Sequence, residues 1–245
     1  MKIISIEGFV VSTINYKESS SIINIITKEY GVIGLISKGC KRPKSPLSKV
    51  SINLTYAVFH MYYKPSGLST LIGGDVINTF PNIKKDIVKV TYLNYILELA
   101  KNVILQNNIE DIYNILLASI LKIEEGYNPL AISNMLEVKY TSFLGVEIQT
   151  DKCILCSKDN PVLYSPSNGG FVCEKCITNE ERHDTQTLKL INMYKYVDIS
   201  KISTFNIDDK ILKEVDKIIT SYYEDYTGVY LKSRGFLKNI KTIET

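Results

Sequence analysis

Four cysteines carry the clearest chemistry in this sequence. They stand as Cys153-x-x-Cys156 and Cys173-x-x-Cys176, separated by the segment from Ser157 to Val172. A Cys-x-x-Cys segment closes a tight turn that aims two sulfurs at one point. Two such turns supply four thiolates in a tetrahedron, the arrangement that suits zinc with a closed coordination shell. Between the pairs, Pro166, Asn168, Gly169 and Gly170 favour a hairpin-like turn that returns the second pair to the first. A closed shell has no position for a substrate, so the expected role of the metal is structural. Iron in a rubredoxin-like site stays open, because four-sulfur tetrahedra do not choose strictly between the two metals. The first residues are not expected to be a secretion signal, and in such a chain paired cysteines point to metal rather than to disulfides.

The second candidate is a basic turn, Lys38-Gly39-Cys40-Lys41-Arg42-Pro43-Lys44-Ser45-Pro46, with Lys49 just beyond. Gly39 and the two prolines keep it out of regular structure. Cations on a stiff exposed loop suit phosphate contacts, which dominate nucleic-acid affinity. The competing reading is a solvated surface turn. Aromatics are interleaved nearby: Tyr16, Tyr30, Tyr56, Tyr62 and Tyr63. Single-strand binders stack bases on such rings, although most tyrosines at strand positions are core. Tyr16, and Tyr62 or Tyr63, lie near expected strand ends and are the candidates. The candidate nucleic-acid-binding set is therefore Lys38, Lys41, Arg42, Lys44, Lys49 and Tyr16.

Catalytic signals are weak. The only histidines are His60 and His183. His60 alternates within a strand pattern and reads as packing, while His183 follows Glu180-Glu181-Arg182 on a surface loop. No P-loop, nucleophile elbow or His-Glu-x-x-His pair is present. Glu124-Glu125 and Asp208-Asp209 read as helix-end charges.

The elements that must position these residues fall into two halves. Up to about residue 80 the pattern is of strands, rich in β-branched and aromatic residues: Phe9 to Ile14, Ile22 to Ile26, Val32 to Ser37, Ser51 to Tyr63 and Leu68 to Ile77. Gly73-Gly74 suggests a bulge or bend, as a small closed barrel needs. Five short strands in this length suit an OB-fold or another small barrel. After Pro81 the period becomes helical, with Ile87, Val90, Leu93, Leu97, Ala100 and Ile104 on one stripe between Asp86 and Gln106. Tyr92, Ile96, Leu99 and Val103 form a second stripe on the same helix. That stripe is either core or an apolar groove with Lys89 or Lys101 at its rim. A second helix carries Ile112, Leu116, Ile120 and Ile123. Asn128-Pro129 opens a third, which stops at Gly145. Helical pattern resumes near Asp184, is clearest from Ile211 to Tyr226, and a last element runs from Val229 to Ile240. The expected organisation is multidomain: an all-β OB-fold barrel over 1–80, then an all-α helical domain over 81–245 with a four-cysteine zinc ribbon or knuckle inserted at 150–180.

Bulk properties agree with a folded chain. Hydrophobic residues are 45% and charged residues 22% of the 245, which is ordinary for a globular protein. The net charge is +3, but residues 1–80 hold nine Lys/Arg against four Asp/Glu. The positive excess thus sits in the N-terminal part, as expected if that part meets a polyanion; the competing reading is a solvated basic face. No apolar run approaches the roughly 18 residues of a membrane span, and the first residues do not read as a signal peptide. A cytoplasmic location without membrane contact is expected.

Taken in order, these segments resemble the bacterial RecO family. Glu7-Gly8-Phe9-Val10-Val11 and Tyr16-Lys17-Glu18-Ser19 are similar to its opening, and Ile25-Ile26-Thr27-Lys28-Glu29-Tyr30-Gly31 continues it. Lys38-Gly39-x-Lys41-Arg42-Pro43-Lys44-Ser45 looks like the family's basic turn. The cysteines placed after Phe143-Leu144-Gly145 match its zinc-bearing members, and Ser233-Arg234-Gly235-Phe236-Leu237 resembles its last helix. Cys40 departs from the pattern, since relatives usually carry a small residue such as alanine there. The resemblance implies a non-enzymatic mediator that binds single- and double-stranded DNA and anneals complementary strands. It also implies work with RecR, a grip on the C-terminal tail of single-strand binding protein, and indirect loading of RecA. Two other readings compete. A zinc-ribbon transcriptional regulator would need a basic recognition helix, and none is visible. A nucleic-acid enzyme would need an acid–base or two-metal carboxylate set.

Overall fold

The computed structural model describes residues 2–105, 109–159, 161–177, 183–203 and 206–241, with side chains described up to Leu237. It divides into two compact units, Met1–Asn114 and Ile115–Thr245.

The first unit is built on a closed five-stranded barrel in the order β1-β2-β3-β5-β4. The strands are β1 (Lys2–Tyr16), β2 (Ser20–Thr27), β3 (Gly31–Ser37), β4 (Tyr56–Tyr63) and β5 (Ser69–Asn78). β1 is long enough to pair twice, with β4 through Lys2–Phe9 and with β2 through Gly8–Tyr16. Its register shifts between Val10 and Ser12. Such a bulge bends a strand and lets a small sheet close. Gly8 stands where both partners meet β1, and a Cβ there would lie 2.5 Å from the Ile26 carbonyl oxygen. Glycine is therefore required by close approach. A second shift, between His60 and Met61 of β4, leaves Ile72 of β5 without a partner beside Gly73-Gly74, where the paired glycines predicted a bend. β3 meets β5 in parallel at Leu35 and Ile36, which closes the ring.

Alternation fills the barrel. Val10, Ile23, Ile25, Leu35, Ala57, Phe59 and Met61 are fully buried and form its core. The expected strand from Ser51 to Tyr63 is shorter than predicted. Lys49–Ser51 forms a 3-10 turn and Leu54 takes a left-handed backbone, φ +59°. The strand starts only after that kink, where the Val10 N–H donates to the Thr55 carbonyl at 2.9 Å. Helices α1 (Pro81–Lys84) and α2 (Ile87–Ile104) follow, and Asp86 caps α2 by accepting from the Val88 and Lys89 N–H groups. Phe9 stacks on Tyr56 with ring centroids 4.5 Å apart, and Phe80 and Tyr113 complete that aromatic cluster. The compact unit thus extends past the change of period at Pro81.

In the second unit α3 (Ile109–Glu125, which begins in the first unit), α4 (Pro129–Phe143), α5 (Thr185–Tyr196), α6 (Asp209–Tyr222) and α7 (Lys232–Lys241) frame a two-stranded hairpin. The hairpin is β6 (Leu163–Ser165) with β7 (Gly170–Val172). α4 is nearly surrounded: Ala131, Ile132, Ser133, Asn134, Met135 and Leu136 are all buried. It ends at Gly145, φ +74°, as predicted. Its N-terminus is capped by the Asn128 side chain, which accepts from the Leu130 and Ala131 N–H groups at 2.9 and 3.2 Å. Asn128→Ala should cost about 1 kcal/mol, read as a lower denaturant midpoint with unchanged slope. α7 is held by Arg234, whose guanidinium donates to Glu137 on α4 at 2.7 Å and lies over the Tyr223 ring.

Candidate metal centre and nucleic-acid interface

The two Cys-x-x-Cys turns are built by backbone bonds. In the first, the Ser157 N–H donates to the Cys153 carbonyl and the Cys153 N–H to the Lys158 carbonyl, both at 2.8 Å. In the second, the Cys176 N–H donates to the Cys173 carbonyl at 2.9 Å. β6 and β7 carry the chain between them, turning at Pro166–Asn168 and at Gly169, φ +65°. The Ile154 N–H donates to the Phe171 carbonyl at 2.9 Å and docks the first turn on the hairpin. The result brings the ligand atoms of Cys153, Cys156, Cys173 and Cys176 within 4.8 Å of one another.

This donor set fits a tetrahedral metal ion. Thiolates about 2.3 Å from one zinc stand about 3.8 Å apart, and the Cys156 and Cys173 sulfurs are 3.6 Å apart. Burial raises the Cys153 thiol, but N–H donors from Cys173, Cys156 and Leu155 outweigh it and bring it down to about 6. Hydrogen bonds with the sulfurs of Cys156 and Cys173 push Cys176 up to about 12. Cys153 and Cys176 are thus pushed in opposite directions, and a divalent cation is what would allow four thiolates.

The basic turn is more ordered than its composition suggests. Consecutive turns run through it: Arg42 N–H to Gly39 carbonyl at 3.1 Å, Ser45 to Arg42 at 3.1 Å and Ser48 to Ser45 at 3.2 Å. Two bonds pin it to the β1–β2 connection, from the Lys41 N–H to the Ser19 carbonyl and from the Gly39 N–H to the Ser20 hydroxyl. Cys40 and Leu47 are buried in the barrel core and anchor it from below. Cys40 is thus a small core residue, a role spacing alone could not assign.

Between this turn and the β1–β2 connection lies an open groove of about 820 Å³, lined in part by Tyr16, Lys17, Glu18, Lys38 and Arg42. Tyr16, Lys38 and Arg42 of the expected set meet there. The Lys17 ammonium lies 5.5 Å from the centre of the Tyr16 ring. Lys41, Lys44 and Lys49 are exposed outside that lining. Tyr62 is exposed on β4, and Tyr30 packs against Tyr63 at 4.8 Å.

Two expectations change. The second stripe of α2 offers no groove, because Tyr92, Ile96, Leu99 and Val103 are already buried. Periodicity had identified an apolar stripe without showing what covers it. His60 is not simply packed: its Nδ1 lies 2.7 Å from the Ser5 hydroxyl and its Nε2 3.0 Å from the Asp75 carboxylate. The three residues link β1, β4 and β5 across the sheet surface, a pairing that only the strand register reveals. His183 bonds to Glu214 at 2.9 Å, while its neighbours Glu180, Glu181 and Arg182 lie outside the described residues, as does Gln106.

Comparison with known proteins decides the family. The model for the N-terminal part of recombination protein O matches residues 1–80, and that for its C-terminal part matches residues 84–235. The chain belongs to the RecO family. A DNA repair protein RecO of Halalkalibacterium halodurans is 31% identical over 242 residues, covering 97% of this chain and 95% of that protein. The RecO of Bacillus subtilis is 30% identical with the same coverage, and one from Listeria monocytogenes is 29% identical over 96% of this chain and 93% of its own length. RecO relatives therefore cover nearly the whole chain. No described helix is long and apolar enough to cross a membrane.

Proposed function

We propose that this chain is a DNA repair and recombination mediator that acts by holding DNA strands rather than by chemistry on them. The observation that carries this reading is the match to both parts of the RecO family along nearly the full chain. The regulator alternative gains no support from it. In this reading the barrel is an OB-fold over residues 1–80, and residues 81–245 form the helical domain with the zinc-bearing insertion at 150–180. Lys38, Lys41, Arg42, Lys44 and Lys49 contact phosphates, and Tyr16 offers a ring to an unpaired base. Zinc on the four cysteines is structural. The partners are single- and double-stranded DNA, RecR and the tail of single-strand binding protein, with RecA loaded as a consequence. The site of action is the cytoplasm, on the nucleoid.

The groove supports a division of labour. Cations act on any phosphate backbone, so Lys38 and Arg42 serve single strands and duplexes alike. A ring can stack only on a base that is out of the helix, at about 1–3 kcal/mol per base. Tyr16→Ala should therefore weaken single-strand binding roughly tenfold and leave duplex binding within about twofold. Fluorescence anisotropy with matched labelled strands checks this. Equal losses on both DNAs would mean that Tyr16 shapes the groove instead of stacking. Annealing of bare complementary strands by the wild-type protein tests the wider reading.

A further inference from the structure

The four sulfurs of the cysteine cluster are not equivalent. Cys153 and Cys173 are 1% and 8% exposed and pack in a small apolar cluster with Leu163 and Val172. Cys156 is exposed and Cys176 is intermediate. The fold causes this asymmetry. Cys156 lies at the outer end of its turn, between Leu155, 53% exposed, and Ser157, whose left-handed backbone (φ +58°) reverses the chain. Cys173 follows directly on β7 and is covered by the hairpin.

From this asymmetry we propose that Cys156 is an oxidative modification site, at which a hydroperoxide forms a Cys156–Cys173 disulfide and releases the metal. The proposal rests on reading the cluster as a metal centre. Thiol oxidation needs a thiolate and access to it. Metal ligation would supply thiolate character to all four sulfurs, and Cys156 is the one that is exposed. Cys173 is shielded from an outside reagent, yet its sulfur is 3.6 Å from that of Cys156. It can therefore resolve a reaction that it cannot start.

In the first step the Cys156 thiolate attacks the terminal oxygen of the hydroperoxide. An S–O bond forms and the O–O bond breaks, leaving a sulfenic acid and an alkoxide that takes a proton from water. The Cys173 thiolate then attacks the Cys156 sulfur. The S–S bond forms, the S–O bond breaks and hydroxide leaves. Two thiolates lose two electrons and the hydroperoxide gains them. With two of its four ligands spent in the disulfide, a metal held by these cysteines would no longer be retained, and the two turns would stay joined by the Cys156–Cys173 bond alone.

The test uses the full-length protein. Metal content is measured first, without treatment. Hydrogen peroxide is then added while a chromogenic chelator reports metal release, and thiols and disulfides are mapped by alkylation and mass spectrometry. The expected result is release of one ion per chain in step with a Cys156–Cys173 disulfide, with Cys40 still a free thiol in the barrel core. A reductant plus zinc should restore the starting state. Pulse alkylation of the metal-loaded protein should label Cys156 at least roughly tenfold faster than Cys153 or Cys173. Metal that is present but stays bound under excess peroxide overturns this proposal alone, as does first attack at another cysteine or equal labelling rates. An untreated protein without metal overturns both this proposal and the metal-centre reading.

Discussion

Cys173→Ser should strip the metal from the protein and unfold the segment from Thr150 to Cys176, while the barrel keeps its structure. The expected effect is large because the metal would join two turns that the protein otherwise links through one short hairpin. Its two strands are three residues each; Leu163 and Val172 pack with Cys153 and Cys173, and Tyr164 and Phe171 are buried as well. A hairpin of that size is marginal in water. Structural zinc contributes on the order of 10–16 kcal/mol of apparent binding energy in small fingers, more than the whole stability of many domains. Losing one buried thiolate forfeits most of it. The measurement is hydrogen exchange resolved by peptide, with zinc content determined alongside. Protection should vanish across β6 and β7 and persist in β1 to β5. A folded, protected hairpin in the metal-free variant would show that the apolar cluster suffices.

The second large effect is expected from reversing Lys41, Arg42 and Lys44 together to Glu. The three side chains are exposed on a turn whose backbone is bonded to itself and anchored by Cys40 and Leu47. Charge can therefore change without the loop collapsing. Each single-strand phosphate contact contributes about −0.7 to the slope of log affinity against log salt. Losing three should flatten that slope by roughly 2 and weaken binding on the order of 10²-fold at moderate salt, on every sequence. Titration at several salt concentrations checks both numbers. An unchanged slope would make the turn a solvated loop, and the groove beside Tyr16 would then have to bind without it.

What could be read in advance follows a physical division. Local signals were legible: the Cys-x-x-Cys pairs, the Asn128-Pro129 helix start, the stop at Gly145 and the bend at Gly73-Gly74 each depend on a few adjacent residues. Signals that depend on distant partners were not. Lys41 is pinned by Ser19, and His60 is held between Ser5 and Asp75, through contacts made only when the barrel closes. The stretch from Ser51 to Thr55 alternates like a strand, but Leu54 adopts a left-handed backbone there and the strand begins later. The second stripe of α2 shows the same limit from the other side. Tyr92, Ile96, Leu99 and Val103 have the spacing of a face, and spacing does not say whether that face is covered. Tyr56, read from its strand position as core, is core: it stacks on Phe9 and donates to the Glu7 carboxylate.

The central claim is that the chain brings complementary DNA strands together even when another protein already holds them. The most direct measurement is annealing of complementary single strands precoated with single-strand binding protein, followed by the loss of a fluorescent signal from unpaired DNA. The account predicts that the wild-type protein accelerates duplex formation on coated strands, and that the Lys41, Arg42, Lys44 triple reversal loses most of that acceleration. Wild-type protein that binds bare DNA yet leaves coated strands unpaired would contradict it.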